Sequence, residues 1–324
     1  MAEWQVEQGI GETRAMLVEG DTVLAARLHW PGSLAAGQVE DARLIRRLAG
    51  TPRGLARFAS GEEALVDRLP ADASEGALLR LNITRAAMAE TGRLKRAQAR
   101  PTVRPVCPAP LLEESLSAAG HPVRKVHRFA CPGWDDLVGQ AFAREVPFAG
   151  GSLILSPTPA MVLIDIDGAL APTALALAAI PAIATTLRQL DIAGSIGIDF
   201  PTLSAKTDRR QVDQALEDTL AGWPHEHTAM NGFGFVQIVA RLERPSILHL
   251  VANYPASAAA RLLLRRAEGV VEPGALLLGA HPQVRAAMLP EWEAQLVRRT
   301  GRQIRWHCDP ALALEAGFAQ AITA

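Results

Sequence analysis

The sequence predicts a mixed α/β (α+β) chain: a small antiparallel β-barrel over residues 1–96, a proline-rich linker at 97–110 and an α/β layer over 111–324. Three observations predict it. Short period-2 runs broken by turn residues fill the first part. AQARPTVRPVCPAP then carries four Pro in fourteen positions, which fits neither a helix nor a central strand. Beyond it, uniformly apolar strands alternate with helical stretches, the signature of a largely buried sheet.

Taken in order, TRAMLVEGDTVLAARL reads as a hairpin around Gly20-Asp21. QVEDARLIRRL, GLARFAS, EEALVDRL and ALLRLNITR read as further barrel strands. After the linker, GSLILS and AMVLIDID are predicted strands, PTALALAAIPAIATTLRQL a helix and GSIGIDF a strand. A helix follows near 206–222, then strands at GFGFVQIVARL and SILHLV and a helix from 256. The remainder reads as strand, helix, strand, helix, with no internal repeat.

Composition narrows the function classes. With 324 residues, 49% of them hydrophobic, the chain can bury real cores and is not a disordered polyanion or polycation. Three cysteines, at 107, 131 and 308, make no disulfide framework, and no C-x-x-C pair offers a zinc site. Reduced thiols and the lack of a basic-then-apolar leader after Met1 lead to an expected cytoplasmic location. No run of about 18 uncharged apolar residues is present, so no membrane partner is expected. The net charge of −1 hides an asymmetry: residues 41–128 hold 16 Lys or Arg against 9 Asp or Glu. A basic N-terminal part beside an acidic remainder fits a polyanion-binding module joined to something else. A solvated charged face would look the same.

The most chemical feature is a pair of strand ends, VLIDIDGA and GSIGIDF, which place Asp165 and Asp167 on one strand and Asp199 on the next. In α/β sheets ligands gather at the carboxyl ends of strands. Converging carboxylates there suit a hard cation, Mg²⁺ or Mn²⁺, which polarises a phosphoryl oxygen and activates water. The plainer alternative is that each Asp caps the turn that follows it. His225-Glu226-His227 lacks a supporting third ligand, and His249 on an apolar run reads as a hydrogen-bonded core residue.

Two families resemble VLIDIDGA. The string alone is similar to the first motif of haloacid-dehalogenase-like phosphatases, but of the downstream Lys and acidic pair those enzymes need, Lys206 is the only Lys beyond Lys125 and no paired acids stand in the right setting. A much longer match runs through AFAREVPFAGGSLILSPTPAMVLIDIDGA, LRQLDIAGSIGIDF, RRQVDQALEDTL and FGFVQIVARLERPSIL. Segment by segment this resembles the RNase E/G endoribonucleases, as a short, divergent member.

That resemblance implies an S1-like OB-type barrel followed by an RNase H-like catalytic domain. It also implies a Mg²⁺-dependent endoribonuclease, with Mn²⁺ an alternative ion, that hydrolyses phosphodiester bonds of single-stranded RNA in processing or decay. Asp165 and Asp199 match the family's metal-holding Asp residues, and Asp167 stands where the family has Asn. Gln237 and Ala240 also depart from the family pattern, which favours the alternative of a catalytically impaired RNA-binding protein; a phosphatase ranks third. The resemblance places RNA contacts at Phe58, Arg93, Lys95 and Arg241. Phe58 either stacks a base or fills the barrel core, and Arg93 and Lys95 either contact phosphate or sit on an exposed loop. The segment that reads a 5′-monophosphate in the family is not found, nor is its Cys-Pro-x-Cys link. No zinc and no zinc-linked tetramer are therefore expected, while a homodimer remains compatible.

Overall fold

The computed structural model describes residues 1–90 and 92–323; Thr91 and Ala324, the one in the expected barrel and the other at the chain's end, lie outside the described residues. The first three strands, β1 (Glu3–Gln8), β2 (Thr13–Glu19) and β3 (Thr22–His29), form an antiparallel meander. The hairpin at Gly20 forms as expected, with Gly20 at φ 58°, where a glycine avoids the Cβ clash. This meander does not belong to the barrel. Both of its faces are buried: Met16, Val18, Ala26 and Leu28 join the core of the α/β part, while Trp4, Val6, Ala15 and Ala25 pack on Leu112 and Leu116. The strand β11 (Val123–Val126) adds in parallel to β1. A charge network completes the junction, with the buried Arg14 reaching Glu7 and Glu12, each at 2.8 Å.

The barrel consists of β4 (Val39–Leu48), β5 (Arg53–Arg57), β6 (Glu63–Asp67), β7 (Leu78–Arg85) and β10 (Ala97–Pro101). Its closing strand, β10, falls inside the span read as linker. It pairs in parallel with β6 and antiparallel with β7, which removes both sheet edges. Alanines 42, 56, 64, 97 and 99 fill much of its interior, so the barrel can be narrow. A small hairpin, β8 (Met88–Glu90) and β9 (Arg93–Lys95), leaves the barrel toward the α/β part.

After α1 (Leu112–Ala118) and α2 (Trp134–Ala143) comes a six-stranded sheet. Its strands are β12 (Glu145–Phe148), β13 (Gly151–Pro157), β14 (Val162–Gly168), β15 (Gly194–Asp199), β16 (His225–His227) and β17 (Phe235–Ala240), ordered β12-β13-β14-β15-β17-β16. Only β14 and β15 run parallel, joined by the crossover helix α3 (Pro172–Gln189). The helices α3 and α4 (Lys206–Leu220) match the expected spans closely. Leu153, Ile164, Ile196, Ile198, Val236 and Ile238 point to the helix side and are buried. Gly151 pairs with Gly168, and a Cβ there would collide with the Asp167 carbonyl; Gly150-Gly151-Ser152 is a close strand approach, not a phosphate cradle.

Two readings of secondary-structure type are also corrected. SILHLV, expected as a strand, is the helix α5 (Ile247–Asn253), because Ser246 caps it by accepting from the His249 amide at 3.0 Å. A short apolar run cannot separate strand from helix by periodicity alone. The chain bends by 113° at Tyr254 into α6 (Pro255–Glu268). The end of the chain, expected as a helix, is the strand β20 (Phe318–Ile322), antiparallel to β18 (Ala275–Ala280). The latter also pairs with β19 (Ile304–Cys308), and α7 (Pro282–Ala287) and α8 (Pro290–Thr300) complete this lobe. Among the described residues no single helix is long and apolar enough to cross a membrane.

Candidate active site

The strand alternation that buries Ile164 and Ile166 turns Asp165 and Asp167 to the opposite, uncovered face of the sheet. Parallel register sets Asp165 directly beside Asp199, so two carboxylates from adjacent strands stand together, both exposed. Asp167 lies on the same face two residues further along, past the end of β15. Among the described residues no three His, Cys, Asp or Glu side chains form a group that could hold a metal by themselves. The donor set that does exist is a pair of hard oxygen ligands. It fits Mg²⁺ or Mn²⁺, which is commonly held by one or two carboxylates with the remaining positions left to water and substrate phosphate.

The surroundings of the pair are aromatic. Phe235 is the antiparallel partner of Asp199, and its ring lies over Gly197, where a Cβ would come within 2.5 Å of it. Gly197 thus makes room for a ring beside the carboxylates. The turn before β17 is pinned by the Asn231 side chain, which accepts from the amides of Phe233 and Phe235 at 2.9 and 3.1 Å. At its tip Phe233 is 83% exposed, and Gly234 closes the turn onto the chain just after Asp199, its carbonyl accepting from the Phe200 amide. The N-termini of α3 and α4 meet nearby, Thr173 donating to Asp208 at 3.0 Å. There α4 opens with the exposed Lys206 and carries the exposed Arg210. None of Phe233, Phe235, Lys206 and Arg210 was assigned an RNA-contacting role from sequence, although an aromatic in a Gly-rich turn, NGFGF, was a readable signal.

The expected RNA contacts are placed elsewhere. Phe58 is a correction: it is 3% exposed and belongs to the barrel core, because GLARFAS turns it inward with Ala56, so it offers no base a surface. Arg93 and Lys95 lie on β9, and both pair with Glu90, at 2.5 and 3.4 Å. Their hairpin adjoins Val162 and Gly194, the strand ends opposite to the aspartates. Arg241 is 81% exposed, pairs with Glu243 at 3.0 Å, and follows the residue that pairs with Gly194, again at the far end. The carboxylates and these three cations therefore do not converge. Gln237, by contrast, lies on the open face opposite Gly197.

The remaining candidates are structural. His225 stacks between Trp223 and His227, with ring centroids 5.2 Å apart in each pair, and His225 Nδ1 lies 2.7 Å from the Trp223 carbonyl. His249 Nδ1 meets the Ser246 hydroxyl at 2.8 Å, and burial pushes its imidazole below its ordinary value, as a neutral core histidine requires.

A family model described as the Ribonuclease E/G family matches residues 121–241. The match begins just before β11 and ends just past β17, so it contains the whole carboxylate-bearing sheet. No curated protein matches the chain. The ordered motifs that carry the resemblance from Phe142 to Phe235 thus fall within a segment matched independently, and over residues 121–241 the chain is similar to the Ribonuclease E/G family.

Proposed function

We propose that the protein is a divalent-metal-dependent endoribonuclease acting on single-stranded RNA, with Asp165 and Asp199 as the ligands that fix the ion. The observation that carries this reading is their side-by-side register on the open face of the family-matched sheet. A bound Mg²⁺ or Mn²⁺ would polarise the scissile phosphate and supply a water nucleophile at neutral pH. The chain's own residues do the rest. Asp165 and Asp199 hold two ligand positions, and Asp167 on the same face orders the shell around them. Phe233 and Phe235 offer ring faces on which unpaired bases stack. Lys206 and Arg210, at the mouth of α4, neutralise strand phosphates.

The barrel supports the nucleic-acid reading. Five strands closed with one parallel contact suit an S1-like OB-type module, and we assign the uncovered α/β layer to an RNase H-like catalytic domain. The basic character of this part is muted on the surface, since Arg53, Arg57, Arg80 and Arg96 are each paired with a carboxylate. A second reading, RNA binding without cleavage, is favoured by Gln237, a neutral side chain on the open face where the family pattern has Glu. Mn²⁺ binding followed by electron paramagnetic resonance separates the two. The nuclease reading expects one site in the native chain and its loss in Asp165→Asn; no Mn²⁺ site in the native protein would leave the binding-only reading standing.

A further inference from the structure

A cavity of about 390 Å³ lies where the barrel, the first meander and the α5–α6 elbow meet. Its volume falls in the small-ligand range of about 300–1,000 Å³, and junctions between structural units are a preferred place for such sites. None of the three aspartates lines it. The cavity borders α5, which packs into the core on the covered side of the sheet, whereas the carboxylates face the uncovered side.

Two aromatic rings shape one wall. Trp30 is held in place by Arg261, whose guanidinium stacks 3.9 Å from the ring centroid, and by a 3.0 Å bond from its Nε1 to Glu12. Tyr254 is set at the 113° bend between the two helices, which turns it out of both and leaves it 44% exposed, its ring 6.2 Å from Trp30. The polar lining is sparse and mixed. Burial, reinforced by the nearby Arg244 guanidinium, holds the His29 imidazole below its ordinary value of 6.5. A neutral imidazole presents one donor and one acceptor. The Tyr254 hydroxyl can serve as either, and Arg244, already anchored on Asp191 at 2.6 Å, adds only donors.

Flat apolar faces with both donors and acceptors along the edge are the chemistry of a nucleobase. An aliphatic chain would leave the imidazole and the hydroxyl without partners in the cavity, a costly arrangement where it is partly closed. Bare phosphate would meet two guanidiniums that already have carboxylate or carbonyl partners, Asp191 for Arg244 and the Gly11 carbonyl for Arg261. We propose that this junction cavity is a nucleobase-binding site, filled by a free ribonucleotide or by a base of an RNA strand. Its occupant touches the barrel side and the α5–α6 elbow together, and so ties the barrel to the carboxylate sheet. Occupancy of the cavity requires no cleavage at the aspartates.

The test is calorimetric titration of the full chain with the four ribonucleoside 5′-monophosphates and with ribose 5-phosphate, in the native protein and in Asp199→Asn, Tyr254→Leu and His29→Leu. The expected result is that at least one monophosphate binds native protein and Asp199→Asn equally and ribose 5-phosphate does not. Tyr254→Leu and His29→Leu, checked for folding by circular dichroism, each weaken that binding by roughly tenfold or more, the scale of a lost stacking or edge contact. Competition with a six-nucleotide single-stranded RNA assigns the source: displacement points to a strand base, and no displacement to a free nucleotide. Absence of binding by every monophosphate, equal binding of ribose 5-phosphate, loss in Asp199→Asn alone, or indifference to both cavity substitutions would overturn the proposal.

Discussion

Asp165 and Asp199 were legible in the sequence because an apolar strand ending in Asp is a strong local pattern, and two such strands joined by one helix fix their register almost by themselves. Phe58 was not, because period-2 alternation says that a residue faces inward or outward only once the strand's neighbours are known. The structure turns it into the barrel, beside Ala56 and Val66. Phe58→Ala is therefore expected to destabilise the chain by about 3–5 kcal/mol, the usual result of emptying a buried aromatic site, as read by urea denaturation. Phe233, 83% exposed at the tip of its turn, is the ring proposed for stacking. Its replacement by alanine should leave the unfolding midpoint within experimental error and weaken single-stranded RNA binding by about 1–3 kcal/mol. An unchanged binding isotherm would remove Phe233 from the RNA surface.

At the scale of elements, long periodic segments were read well and short apolar ones were not. The span of α3 was readable despite Pro181 within it, since eighteen residues of periodic pattern outweigh one breaker. SILHLV is too short to show a period, and a single serine cap decides it. The β2–β3 hairpin was correctly drawn as a hairpin and assigned to the wrong sheet, because its second buried face is covered by residues about a hundred positions away. What anchors that meander is also non-local. Arg14, 1% exposed, sits between Glu7 and Glu12, and Arg265 of α6 reaches Glu7 at 3.2 Å and Asp135 at 2.6 Å. Taking one partner from a buried charge network strands the others, so Arg14→Met should cost about 3–5 kcal/mol. Chemical denaturation measures this, and a loss below about 1 kcal/mol would mean that the network is already hydrated.

For the whole molecule, near-neutral net charge conceals a division of labour. The basic span overlies the barrel, where four arginines are occupied by carboxylates, while unpaired acidic groups collect on the open sheet. On the proposed reading, affinity would rest on local contacts and chemistry on one pair of aspartates. Cleavage of an end-labelled single-stranded RNA in Mg²⁺, by the native chain and by Asp199→Asn side by side, tests this most directly. The account predicts Mg²⁺-dependent cuts leaving 5′-phosphates in the native protein and a rate at least about a hundredfold lower in the variant, on the scale of a lost electrostatic contact in a transition state. Equal cleavage by both, or cleavage indifferent to removal of the metal, would contradict it.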